Sequence, residues 1–191
     1  MKFALISHIL PPSWSGQAVM IYRILKEVDP ASYVLVSSKE FGKRNKEPYL
    51  QYLDGKYLTI KKEKSFHFLD RFSFLQQILL DIKILLRSYR ISKIIRYENC
   101  DSIIACSGDI LDIPAAFLAA QRTRTRFFPY YFDDFVNQWP DPSFQRLAKF
   151  FENRYASKAA SIIVPNEFLR DEVLHRQPGS KVEIIRNPYI A

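Results

Sequence analysis

The sequence predicts an α/β domain: a doubly wound, mostly parallel sheet with helices on both faces. Three observations carry this. Short apolar runs bounded by turn residues alternate with longer segments of helical period along the whole chain. Most runs are followed by a helix rather than a tight hairpin, the pattern of right-handed parallel crossovers. The first of these units, Met1 to Leu25, places a glycine-bearing loop between a buried strand and a helix, the arrangement that opens ligand crevices in such sheets.

The elements follow in order. Lys2–His8 (KFALISH) reads as a buried strand, and Pro11 and Pro12 stop it. Ser13–Gly16 closes the loop, and Ala18, Ile21, Tyr22, Leu25 and Val28 form the apolar stripe of a helix opening at Ser15 or Gly16. The free N–H groups at that helix start favour anions and polar ligands above the strand end. Asp29–Pro30 ends the element, and Tyr33–Ser37 and Lys56–Ile60 read as the next strands. Between them, Lys39, Lys43, Arg44 and Lys46 cluster around Gly42, as a solvated loop or a loop facing phosphates.

Phe66–Glu98 is predicted as two helices with a break near Ser88–Ser92. Phe68, Phe72, Leu75, Leu79, Ile82, Leu86 and Tyr89 keep one stripe, which Phe74, Ile78, Leu80, Ile84 and Leu85 widen. Arg87, Arg90, Lys93 and Arg96 make the second half basic. Two readings stand: a helix packed between sheet and loop, or a surface helix resting an apolar flank and cations on anionic lipid. Asp101–Ser107 is the central strand, Gly108–Asp109 its turn, and Asp112 the N-cap of a helix reaching Gln121, with Pro114 in its first turn. Arg126–Phe132 is a further strand in which Pro129 is awkward. Asp141 opens a helix to about Ala156, Ser161–Val164 is a strand, Asn166 caps a helix over Glu167–His175, and Val182–Ile185 closes the series.

The chain of 191 residues is long enough to bury a core as one domain. Its 28 Lys and Arg against 20 Asp and Glu give a net charge of +8. That excess suits plain solubility, an anionic membrane surface, nucleic acid or phosphorylated substrates. Cys100 and Cys106 lack zinc or redox spacing, which predicts buried free thiols in a reducing cytoplasm. Asp81 and Lys83 interrupt the longest apolar run short of the ~18–20 residues of a spanning helix, and the amino terminus has no secretory-signal pattern. Gly16 stands without the other glycines of G-x-G-x-x-G, and no G-x-S-x-G elbow occurs, so neither a dinucleotide site nor a nucleophilic hydrolase is supported.

Five segments in series resemble GT-B-fold glycosyltransferases of the large retaining family four. ISHILPPSWSGQA resembles their opening strand and loop, and DSIIACSGD with PAAFLAAQ their next central strand and helix. YYFDDFVNQWP is similar to a strand ending in a His-Asp or Arg-Asp pair before Trp. ASIIVPNEFLRDEV and KVEIIRNP resemble the closing segments that lead to a second domain. The resemblance implies the Rossmann-like, acceptor-binding half of such an enzyme over residues 1–186. It places the start of a linker to an absent donor-binding domain at 187–191.

The function so implied is transfer of a sugar from a nucleotide-sugar co-substrate, without a metal or other cofactor, to a lipid-linked or saccharide acceptor. Its setting would be cell-surface polysaccharide or glycolipid assembly in the cytoplasm, peripheral on the inner membrane face, with little activity from this half alone. No nucleic-acid partner is expected. The other readings are a nonenzymatic Rossmann-like binding module and a basic nucleic-acid-binding domain.

The residues expected to carry this each have a structural reading as well. Gly16, with Ser15 before it, admits a diphosphate or sugar to the helix start or only makes the turn. His8 donates to a sugar hydroxyl or is a satisfied structural histidine. Asp109 accepts from sugar hydroxyls in a catalytic role, while Asp112 caps its helix. Asp134 aligns with the family's aspartate and positions the acceptor, with Asp133 beside it in place of the usual His or Arg; the alternative is a pair of caps. Trp14 and Trp139 stack on sugar faces or plug the rim of the sheet.

Overall fold

The apolar runs read as strands do pair in parallel. The computed structural model describes residues 1–38, 51–61, 63 and 73–187, with the backbone alone at 73–76. Its elements are β1 (Phe3–Ile6), α1 (Gly16–Leu25), a short 3-10 turn (Pro30–Ser32), β2 (Tyr33–Ser37), β3 (Lys56–Thr59), α2 (Ser73–Tyr97), β4 (Ser102–Cys106), α3 (Asp112–Thr123), β5 (Arg126–Tyr130), α4 (Pro142–Tyr155), β6 (Ile162–Val164), α5 (Glu167–Arg176) and β7 (Val182–Ile184). The strands form one sheet in the order β3-β2-β1-β4-β5-β6-β7. All six pairings are parallel, with Leu5 opposite Leu35 on one side and Ile104 on the other.

Alternation along the strands divides the core in two. Ala4, Ile6, Val34, Val36, Ile103, Ala105, Ile162 and Val164 face the layer built from α2, α3, α4 and α5. Leu5, Tyr33, Leu35, Cys106, Tyr130 and Ile163 face the opposite way, toward α1. Among the described residues helices therefore lie on both faces, four on one and one on the other. A fully buried branched side chain such as Ile103 contributes about 1.5–3 kcal/mol, so the central strands hold the domain together.

Pro129 fits because of its neighbours. The carbonyls of Phe128 and Tyr130 face β4, so the absent N–H of Pro129 points to β6. There the pairing consists of one register pair, Tyr130 with Ile163, and the strand costs little by lacking that donor.

Two expectations are corrected. α2 is one continuous helix with no break at Ser88–Ser92. Both serines are buried toward α3: Ser92 Oγ donates to the Ser88 carbonyl at 2.8 Å and Arg122 donates to Ser88 Oγ at 3.3 Å. Their hydroxyls are satisfied inside the helix, so they do not interrupt it. The inward face is Leu80, Ile84, Ile91 and Ile95, while Ile82, Leu86 and Tyr89 of the expected stripe point to solvent. Asp112 is not an N-cap. It is the first residue of α3, after Leu111, and its carboxylate is drawn instead to Arg87 of α2.

Asn166, read as a cap, accepts from the backbone N–H of Leu169, and Ser15 and Asp141, read as helix openings, cap their helices by accepting from Ala18 and Ser143. The basic cluster at Lys39, Lys43, Arg44 and Lys46, the residues Phe68 and Phe72, the side chains of Phe74 and Leu75, and the residues beyond Asn187 expected to begin a linker lie outside the described residues. Cys100 and Cys106 are buried free thiols, and burial pushes the Cys100 thiol up to about 11.

Candidate functional site

The strand order fixes where a ligand can enter. The chain steps outward from β1 to β2 and β3, then returns through α2 to β4 on the other side of β1. The connections leaving β1 and β4 thus diverge to opposite faces, which opens a crevice at their carboxyl ends.

Ser7 and His8 end β1 at this point. Ser7 Oγ accepts from Gln17 Nε2 at 2.7 Å, which ties the start of α1 to the strand end. The loop between them has a cis Pro11–Pro12 bond, and Tyr57 on β3 holds it by donating to the Pro11 carbonyl at 3.0 Å. Burial pushes that phenol up to about 12. Ser15 caps α1, and Gly16 faces open space, with nothing within 4 Å of where a β-carbon would sit. The N–H groups of Gly16 and Gln17, which have no partner within the helix, lie at this mouth.

The other rim is the turn after β4. A β-carbon on Gly108 would stand 2.4 Å from both Gln17 Oε1 and His8 Cε1. The missing β-carbon lets the His8 imidazole and the Gln17 amide pack directly against the bare backbone of the turn. Ser107 beside it accepts from the Phe132 N–H at 3.0 Å through Oγ and from Gln138 Nε2 at 2.8 Å through its carbonyl. The loop after β5 is thereby fastened to the same rim.

Asp109 is shared between that turn and a buried ion cluster. Its Oδ1 accepts from Leu111 N–H at 2.8 Å and from Arg87 Nη1 at 2.9 Å. Arg87 also meets Asp112 at 2.6 Å and Glu63 at 2.6 Å, and Glu63 in turn meets Arg90 at 3.1 Å. Burial and the nearby Asp109 push the Asp112 carboxyl up, against the pull of Arg87. Its Oδ2 is buried with no hydrogen-bond partner among the described residues.

Asp134 belongs to a second cluster, on the β5 rim. Its oxygens accept from Val136 N–H, from Asn137 Nδ2 and from Arg176 Nη1 and Nη2. Burial raises this carboxyl, but hydrogen bonds from Asn137 and the charge of Arg176 outweigh it, so the direction is down. Arg176 continues to Glu152, which accepts from Tyr131, itself bonded to Tyr155. Asp133 is exposed. Trp139 donates to the Phe135 carbonyl at 2.7 Å and packs edge-on to Phe135 and Phe144, whereas Trp14 is exposed on the first loop.

The structure thus gathers His8, Ser15, Gly16 and the turn carrying Asp109 at the switch point. Asp134 sits one strand further along and is tied toward α5. Sequence reasoning missed Gln17, Ser107, Gly108, Arg87 and Arg176. Ser7 and Ser107, the first residues past the two central strands, were the available signal. The arginines give none, because their partners come from distant segments. Hollows also lie elsewhere among the described residues: one of about 360 Å³ beside Tyr22, Lys26, Tyr33 and Tyr52 at the amino ends of β2 and β3, and one of about 250 Å³ between α2 and α4. Among the described residues no group of His, Cys, Asp and Glu is set to hold a metal ion, and no helix is long and apolar enough to cross a membrane.

Solved structures share this fold. The chain is similar to UDP-GlcNAc 2-epimerase from Methanocaldococcus jannaschii (TM-score 0.57, 15% identity), covering 98% of this chain and 46% of that one. It is similar to the lipopolysaccharide outer core galactosyltransferase WaaB (TM-score 0.57, 13% identity), covering 99% and 46%. It is also similar to Anabaena HepE in complex with UDP and glucose (TM-score 0.54, 12% identity), covering 99% and 45%. The fold is therefore that of one half of a GT-B-type protein, and the chain spans just under half the length of the three. No family model and no curated protein matches the chain.

Proposed function

We propose that this chain is the acceptor-binding half of a nucleotide-sugar-dependent glycosyltransferase that builds cell-surface polysaccharide or glycolipid. One observation carries the reading: at the β1/β4 switch point Gly16 faces open space beside the rim where Gly108 meets His8 and Gln17. Two of the three neighbours are named as glycosyltransferases or bound to UDP and glucose, which supports the same class.

The residues divide the work by what they still have free. The α1 start at Gly16 and Gln17 offers N–H donors and a favourable dipole to a phosphate or sugar oxygen. Asp109 spends one oxygen on Arg87 and Leu111, which leaves Oδ2 to accept a sugar hydroxyl. Asp134 has both oxygens engaged, so it acts as a positioning residue that shapes the loop carrying Asp133 and Trp139. The donor's nucleotide is held mainly by the other half, no metal or cofactor takes part, and the assembly works at the inner face of the membrane.

Amide and imidazole NMR of the chain, titrated with UDP-sugars and with mono- and disaccharide acceptors, tests this. Shifts are expected at His8, Gly16, Gln17 and Gly108, with no turnover of a nucleotide-sugar panel by this chain alone. The panel is read for epimerisation as well as transfer, because an epimerase shares the fold. Shifts confined to the hollow near Tyr22 and Tyr52, or robust turnover without a second half, would overturn the reading.

A further inference from the structure

We infer that the outward face of α2, continued onto α4, is a docking surface for an anionic lipid bilayer. Ile78, Ile82, Leu85, Leu86 and Tyr89 are between 39 and 54% exposed along one side of α2. At 100° per residue they fall within one stripe, and Lys93, Arg96 and Tyr97 prolong it over about 28 Å. Helices that cover a sheet normally turn their apolar residues inward. Here the inward places are already filled by Leu80, Ile84, Ile91 and Ile95, so a second apolar side has been built facing out.

The patch does not end with the helix. Leu85 shares a hollow with Phe150, Phe151, Leu118 and Arg154, and Phe150 is itself half-exposed. Aromatic and cationic side chains are paired at its edges. Lys93 Nζ lies 4.7 Å from the Tyr89 ring centre, and the Arg154 guanidinium lies 5.3 Å from that of Phe150. Such pairs suit a boundary between acyl chains and charged headgroups, with rings at the boundary and cations reaching the phosphates.

Charge selects the occupant. Lys83, Lys93, Arg96, Lys149 and Arg154 surround the stripe, against the exposed carboxylate of Asp81, the one on that side among the described residues. A second copy of this chain would bring the same cations face to face across a two-fold axis, which is repulsive. An anionic bilayer matches both the apolar stripe and the positive border, at about 1 kcal/mol per basic residue near the surface.

Co-sedimentation with vesicles of phosphatidylcholine, with and without phosphatidylglycerol, tests this. The chain is expected to bind the anionic vesicles about tenfold or more above the neutral ones, and to be released by about 1 M salt. Ile82→Asp or Leu86→Asp should lower binding about tenfold, and Lys93→Ala or Arg96→Ala about fivefold each. All four positions are exposed, so the fold is kept. Phe168→Asp, at an exposed ring on α5, should bind as the parent does.

Absence of vesicle binding, equal binding to both vesicle types, or α2 variants that bind unchanged would each overturn the proposal. So would a dimer in sedimentation equilibrium that Ile82→Asp dissolves. The outcome stands apart from the glycosyltransferase reading, since sugar-dependent shifts at Gly16 and Gly108 require no vesicle and the α2 variants leave them intact.

Discussion

Arg176 and Asp134 form a two-pronged ion pair across the domain, Nη1 to Oδ2 at 2.8 Å and Nη2 to Oδ1 at 3.0 Å. The arginine is the last residue of α5 and the aspartate follows β5, so the pair fixes the loop at the β5 rim from behind. The same guanidinium reaches Glu152, which is fully buried, through Nε at 3.0 Å. One side chain thus neutralises two carboxylates and links α4, α5 and the sheet.

Arg176→Ala is expected to cost about 3–5 kcal/mol, because it strands Glu152 as an uncompensated buried charge. Urea denaturation measures this. The double variant Arg176→Ala with Glu152→Gln should recover about half the loss, since the amide carries no charge and can still accept from Tyr131. A double variant no more stable than the single one would show that the charge is not what matters.

Stability should fall on the acid side. The Asp134 carboxyl lies below its ordinary 3.8, and hydrogen bonds from Lys56 and Lys2 hold the Glu98 carboxyl below its ordinary 4.5. In both cases the unfolded chain takes up the proton first as pH drops. Their contribution is complete above those ordinary values and is lost as pH falls through the lower native ones. Asp112, pushed up by burial, has the opposite slope: its contribution is present at low pH and lost as pH rises. Thermal melts from pH 6 downward (about one unit apart) should therefore show a midpoint that drops below about pH 4.5. Glu98→Gln should flatten that drop, and an unchanged slope in this variant would refute the assignment.

Gly108→Ala tests the closure of the two rims. The added methyl meets the His8 ring and the Gln17 amide at 2.4 Å, inside any real contact, so those side chains must move aside. The expected cost is about 1–3 kcal/mol in denaturation, with shifted His8 imidazole signals and weakened saccharide binding. Gly16→Ala, where the space is open, should lose little stability by comparison. Equal stability of the two variants would show that the crevice is not shaped as described.

Much of this fold was legible in the residues alone. Tyr33–Ser37 has the bounds read from its apolar run, the helices open at Ser15 and Asp141 as read, and Asn166 caps its helix. These are local effects, set by periodicity and by a side chain two or three residues from its partner. The site was legible in part. A glycine loop after the first strand marked one rim, but Asp109 and Asp134 looked like free carboxylates until Arg87 and Arg176 arrived from 22 and 42 residues away.

The sequence by itself determined the alternation of strand and helix, the helix starts and the buried thiols, because each depends on neighbours along the chain. Only the tertiary structure decided which side of α2 faces water, that its serines do not break it, that Asp112 pairs rather than caps, and that Gly108 closes on His8. Those outcomes turn on contacts between distant segments, where the energy of burying or pairing a group depends on what the fold brings beside it.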